Sequence, residues 1–235
     1  PDGEALVVLD RTPFYGESGG QAGDQGEIQG KHFRIHVEDT QKDGDRIVHL
    51  GRFTEGSEID SPEAHAFVDR SLRLSTARNH TATHLLHKAL REVLGNHVHQ
   101  AGSLVTPEKL RFDFTHHEAL TREQIDEVEN RVNRQIREDH EVTREVMGIE
   151  AARRKGATAL FGEKYGDTVR VVRVGDYSME LCGGTHLDRS GQIGYIQIVG
   201  EEAVAAGVRR IEAVTGENAA RVLQQEKRTL HRISD

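Results

Sequence analysis

The sequence predicts an α+β protein: a small N-terminal β-barrel-like subdomain over residues 1–71, then an antiparallel sheet with helices over residues 72–235. Three observations predict it. Short apolar or alternating runs broken by glycine fill the first part of the chain. A stretch without Gly or Pro follows from Leu72 to Leu94, and after it strand-like runs alternate with helical ones.

Each element follows from its local pattern. Ala5 to Leu9 is a short apolar run, Phe33, Ile35 and Val37 alternate with polar residues, and Ile47 to Leu50 and Ala66 to Val68 complete a β set. Between the first two lies a glycine-rich loop, Gly16 to Gly26. Leu74, Ala77, Thr81, Leu85 and Ala89 recur at helical spacing, which predicts a long, largely buried helix ended by Gly95. Val98 to Val105 and Leu110 to Phe114 read as a strand pair. Thr121 with Gln124 opens a second helix by a capping box, and Ile125, Val128, Val132 and Ile136 form its stripe. A strand over Val142 to Met147, a short helix over Ile149 to Lys155 and strands over Val169 to Val174, Tyr177 to Leu181 and Ile193 to Val199 follow. Gly207 to Val214 adds another strand, and a polar helix from Glu217 ends the chain.

Composition narrows the function classes. Lys and Arg number 31 against 39 Asp and Glu, a net charge of −8, which argues against a general nucleic-acid coat but allows a local basic patch for one shaped RNA. No apolar run approaches the ~20 residues that span a bilayer, and the start lacks a basic and apolar leader, so neither a membrane nor a secretory route is expected. One Cys excludes an internal disulfide and suits a reducing, cytoplasmic setting. With 14 His, any zinc site must rest mainly on imidazoles. The first residue is Pro, which suggests a piece of a longer polypeptide.

His80 and His84 stand at i and i+4 on the predicted long helix, with Cβ atoms ~6 Å apart on one face, suited to a shared tetrahedral zinc. Chance alone places about one such pair in a chain this rich in His. His32 and His36 have the same spacing, but in a strand-like run where four residues span ~13 Å, too far to share a metal. Cys182-Gly-Gly-Thr-His186 changes the weight of the first pair. The only Cys lies four residues before a His, beyond a strand, with two glycines that allow a sharp backbone fold. Together the pairs predict a zinc site of His80, His84, Cys182 and His186. Thr81, not Glu, follows the first His, so this is not the zinc-peptidase pattern. His87 is expected in a solvated or core role.

These two motifs resemble the editing domain of alanyl-tRNA synthetase and its free-standing editing relatives. So do Arg11-Thr-Pro-Phe-Tyr-Gly-Glu-Ser-Gly-Gly-Gln21, Gln100-Ala-Gly-Ser103-Leu-Val, Leu110-Arg-Phe-Asp-Phe114, Ala159-Leu-Phe-Gly-Glu-Lys164 and Gly207-Val-Arg-Arg-Ile-Glu-Ala-Val-Thr-Gly216. The resemblance covers essentially the whole chain and implies a zinc-dependent hydrolase that clears tRNA(Ala) wrongly charged with serine or glycine. Its partners would be that tRNA's acceptor end and the remainder of the synthetase chain. His80, His84, Cys182 and His186 would hold Zn2+, while Thr83, Gln100 and Ser103 would line the aminoacyl pocket.

The loop around Gly19, Gly20, Gln21 and Asp24 would support the site, and these residues with Arg209 and Arg210 are the candidate RNA contacts. In a strand, Arg209 and Arg210 face opposite sides, so at most one meets phosphate with its neighbours. Thr83 has two readings: it bonds the serine hydroxyl, or it bonds its own preceding helical turn. Two other functions fit some of these residues. A threonyl-tRNA editing domain is disfavoured by Gly184-Thr185 before the last His, and a zinc-stabilised tRNA-binding module without catalysis is separated only by assay.

Overall fold

A computed structural model describes residues 3–159 and 165–234. Most of the Ala159–Lys164 stretch therefore lies outside the described residues. Strands β1 (Glu4–Val8), β2 (Gly26–Gln29), β3 (Arg34–Asp43), β4 (Arg46–Glu55) and β5 (His65–Val68) form an antiparallel sheet in the order β1-β4-β3-β2-β5. The sheet is compatible with a small barrel-like unit, but among the described residues no pairing joins β1 to β5 to close it. Alternation along β3 buries Ile35 and Val37 with Phe14, Ile28 and Phe33 in a core of their own. β2 was not legible in the sequence. Its four residues carry a single apolar side chain, Ile28, and at that length no alternation can show.

Helix α1 (Arg70–Leu94) starts two residues before the expected Leu72, because the Asp69 carboxylate accepts from the amides of Ser71 and Leu72 and caps it. Gly95, at φ 115°, ends it. Ala77, Thr81, Leu85 and Ala89 are buried, whereas Leu74 is exposed in the first turns, which project beyond the core. Strands β6 (Gln100–Val105) and β7 (Leu110–Thr115) form the expected hairpin, and α2 (Arg122–Arg137) carries the predicted capping box, Thr121 with Gln124.

The order then runs β8 (Val142–Gly148), α3 (Ile149–Arg154), β9 (Thr168–Val174), β10 (Ser178–Leu181), β11 (Ile196–Ala205), β12 (Val208–Thr215) and α4 (Gly216–Ser234). β11 starts three residues later than expected. Ser190–Ile193 forms a 3-10 turn and Gly194, at φ 81°, redirects the chain.

Two further antiparallel sheets result, β11-β12-β7-β6 and β10-β9-β8. α1 packs on β6, β7 and β12 with one face and reaches β10 with another. Leu85, Leu86, Leu90, Phe112, Phe114 and Ile211 are fully buried at this junction. Each such side chain contributes about 1.5–3 kcal/mol by leaving water. Because α1 touches β10, the turn that follows β10 comes to lie over the middle of α1. No helix among the described residues is long and apolar enough to cross a membrane.

Candidate metal centre

The helix supplies two ligands from local geometry alone. His80 and His84 are buried, with ring centroids 5.4 Å apart on one face of α1. The other two come from the turn after β10. The amide of Cys182 donates to the Arg170 carbonyl on β9, and the Arg170 guanidinium donates to the carbonyl of Gly184 at 2.6 Å. Arg144 donates to the carbonyls of His186 and Leu187 at 2.6 and 2.8 Å. Two cations from neighbouring strands thus clamp the turn.

The glycines act differently from the sequence-based expectation. Neither Gly183 nor Gly184 has a positive φ, so no left-handed fold is needed. A Cβ on Gly184 would instead lie 2.1 Å from Cε1 of His80 and 2.7 Å from Oε1 of Gln21, whereas one on Gly183 would meet nothing within 4 Å. Gly184 is required for close approach to a ligand, and Gly183 is open.

The four ligand atoms lie within 4.8 Å of one another. Cys182 Sγ is 3.3 Å from Nε2 of His80 and 3.3 Å from Nε2 of His186. Zinc bonds of about 2.3 Å to sulfur and about 2.0 Å to nitrogen, at tetrahedral angles, separate the two atoms by about 3.5 Å. The rings are also turned correctly. Gln21 Oε1 accepts from His80 Nδ1 at 2.7 Å, and Nδ1 of His186 meets Thr81 Oγ1 at 3.1 Å, so both present Nε2 inward. The amide of Gly184 donates to Cys182 Sγ at 3.4 Å. The residues fit a divalent cation with soft preferences, and one thiolate with three imidazoles favours zinc.

The electrostatics favour a cation as well. Burial alone would push the Cys182 thiol up, but His80 and His84 beside it hold it well below the usual thiol range. Burial likewise opposes charge on His84, yet the Glu180 carboxylate and Cys182 hold its pKa up at about 9. His186 is held well below its ordinary value by burial and by its two imidazole neighbours.

The chain is similar in sequence to known proteins. The family described as threonyl and alanyl tRNA synthetase second additional domain matches residues 169–212, which contain the Cys182–His186 turn. The class II (A) tRNA synthetases match residues 2–72. An alanine-tRNA ligase of Methylococcus capsulatus is 57% identical over 233 residues, 99% of this chain and 27% of the relative. Those of Halorhodospira halophila and Acetivibrio thermocellus are 55% and 56% identical over 100% and 97% of this chain, and 27% and 26% of their own lengths. The chain belongs to the alanyl-tRNA synthetase family. It spans about a quarter of the length of these curated relatives.

Against that family background, the metal cluster forms one wall of a cleft of about 330 Å³. His80, His84 and Cys182 line it together with Thr83, Gln100, Ser103 and Gly19, while His186 is buried behind them. Thr83 donates its hydroxyl proton to the Asn79 carbonyl at 2.8 Å, which is the preceding-turn bond; its oxygen remains an acceptor. Gly20, at φ 80°, packs where a Cβ would be 2.5 Å from the Ser103 carbonyl.

Gln21 is fully buried, and besides His80 it accepts from the amide of Thr185 at 2.8 Å. The loop is fastened to the edge of β6 by the Val105 amide donating to Gly20 and the Ala22 amide donating to Val105. Asp24 is buried under Arg73 and accepts the Tyr15 amide. Arg209 and Arg210 lie outside the cleft in bidentate pairs, the first with Glu201 at 2.6 and 2.7 Å, the second with Asp113 at 2.7 and 2.9 Å.

Sequence reasoning missed several residues here. Arg170 lines the cleft half-buried, with its guanidinium on the Gly184 carbonyl. Tyr15 lines it too; burial and the nearby Cys182 push its phenol up to about 12, so it stays a donor, bonded to the Ser18 carbonyl. Thr81 and Glu180 stand behind the ligands. Tyr15 and Thr81 fall inside the motifs, and Glu180 lies two residues before Cys182, but no spacing rule distinguishes them. His87, as expected, has a core role: it is buried, bonded to Glu180, and its ring lies tilted against Phe112 at 5.2 Å.

Proposed function

We propose that this chain is the proofreading part of an alanine-tRNA ligase and hydrolyses the ester of tRNA(Ala) wrongly charged with serine or glycine. The observation that carries the reading is the shared cleft, whose wall is a metal-ligand cluster and whose other sides present Thr83, Gln100 and Ser103. His80, His84, Cys182 and His186 would hold zinc, which would supply Lewis acidity once one of the four yields its position or the shell expands to admit water or substrate. Hydrolysis adds water across the acyl–oxygen bond, freeing the amino acid and the terminal ribose hydroxyl.

The protein's own groups give the selectivity. A pocket for alanine cannot strongly reject serine, which only adds a hydroxyl, or the smaller glycine, so a second site is needed. Thr83 Oγ1 has an acceptor lone pair left for the serine hydroxyl, and Gln100 offers an amide to orient it. Alanine would leave such groups unpaired, at ~1–3 kcal/mol each. Glycine has no hydroxyl, so this contact accounts for serine alone.

Arg170, although it also holds the Gly184 carbonyl, is a cation on the cleft wall that faces the acceptor end, whereas Arg209 and Arg210 lie outside the cleft and are paired with carboxylates. Gly19, Gly20, Gln21 and Asp24 hold the cleft from the N-terminal side rather than following the RNA backbone. The separate apolar core of β1 to β5 favours two subdomains, with the expected division at residues 71 and 72 falling in the first turn of α1. A reducing cytoplasm suits the Cys182 thiolate.

The test is Ser-tRNA(Ala) deacylation by the 235-residue chain and by His84→Ala, with and without zinc. Turnover in the wild type that falls with either loss, at unchanged circular dichroism, supports the proposal. A wild type that binds the tRNA without turnover would make it a binding module. Gln100→Ala and Thr83→Val should keep the metal and alter serine-over-alanine discrimination by about ten-fold or more. Unaltered selectivity in both removes them from the pocket.

A further inference from the structure

Two of the three imidazoles have a close acceptor on the nitrogen turned away from the cluster, Gln21 for His80 and Thr81 for His186. His84 does not. Its Nδ1 is buried and unpaired, and the Glu180 carboxylate is 3.9 Å away, beyond hydrogen-bond length. Glu180 is itself buried between two rings, since its other oxygen lies 3.0 Å from Nδ1 of His87. Nε2 of His87 has no partner, so Nδ1 is the nitrogen that His87 commits to the carboxylate. The geometry points to Glu180 as the positioning residue for His84, held in place by His87. A movement of about 1 Å brings the carboxylate to hydrogen-bond length from His84 Nδ1, which then presents the bare Nε2 to the metal.

The chemistry makes this specific. A carboxylate accepts from both imidazole N–H groups at once, whereas a carboxamide of the same shape has one acceptor and one NH2. In Glu180→Gln, one ring must face the NH2. If that ring is His84, its Nδ1 becomes the acceptor and its proton moves to Nε2, the atom the metal needs. The inference rests on the zinc reading above.

The test measures zinc affinity by chelator competition, and thermal unfolding of the metal-free protein, for wild type, Glu180→Gln, Glu180→Ala and Glu180→Gln with His87→Asn. Glu180→Gln should weaken zinc by about 10- to 100-fold. Adding His87→Asn should restore most of the affinity, because the Asn carbonyl accepts the new NH2 and frees the Gln carbonyl for His84. Zinc affinity within two-fold of wild type in both Glu180→Gln and Glu180→Ala overturns the inference, as does a weakening in Glu180→Gln that His87→Asn does not relieve, which would reflect lost charge alone. A wild type that takes up no zinc defeats the metal reading itself. Should Glu180→Gln fail to fold, His87→Phe, which keeps the carboxylate and removes its anchor, should still weaken zinc; unchanged affinity there overturns the role of His87.

Discussion

The two halves of the candidate metal centre are built by different means. His80 and His84 need only a helix, because i and i+4 spacing on α1 already puts both rings on one face. Cys182 and His186 share the same spacing, yet their placement depends on Arg170, Arg144, Gln21 and a glycine that can touch a ring. The stretch around His32 and His36 shows what spacing is worth by itself. There His36 lies exposed on β3 and His32 pairs with Asp60 at 2.5 Å. A four-residue interval between histidines is a site only where the backbone brings the rings together and a second segment arrives opposite them.

Changes that remove a ligand should act most strongly. Cys182→Ala should lower zinc affinity about 10²- to 10³-fold, a quarter of the free energy typical of a four-ligand structural site. Unchanged stoichiometry and affinity in metal analysis would take Cys182 out of the set. Gln21→Ala comes next, at about 10- to 100-fold, since it leaves His80 and Thr185 donors buried without an acceptor. If zinc titration shows no change, the loop half does not depend on the N-terminal sheet.

Between the glycines the difference should be plain. Gly184→Ala should cost about 1–3 kcal/mol in denaturant unfolding and weaken zinc, because its methyl collides with the His80 ring. Gly183→Ala should stay within about 0.5 kcal/mol. Equal effects would mean that the turn requires backbone freedom rather than space. His32→Ala and His36→Ala should leave zinc affinity unaltered, and a measurable loss in either would restore spacing as sufficient.

Most of the fold was legible because its elements are long or strongly patterned. α1 carries an apolar stripe and a terminating Gly95, α2 a stripe and a capping box, and Ile35 and Val37 alternate with polar residues at the start of β3. β2 and the start of β11 were not, since a four-residue strand and a glycine-directed 3-10 turn leave no period to read. Within the candidate site, the four clustered donors were legible because the chain's one Cys stands at the same four-residue spacing from a His as the helical pair. Arg170 and Tyr15 were not, because nothing local marks one of the many arginines or one of the four tyrosines as a cleft residue. The same applies to Arg209 and Arg210, whose carboxylate partners, Glu201 and Asp113, lie on the adjacent strands β11 and β7.

By itself the sequence determined which atoms can bind a metal and that two of them share a helical face, since donor chemistry and helical period are local properties. Tertiary structure decided which nitrogen of His80 and of His186 faces inward and which glycine must stay small. Those outcomes depend on acceptors and backbone that arrive from distant segments, Gln21 on the glycine-rich loop for His80 and Thr81 on α1 for His186, and nothing in the spacing around either ring encodes them.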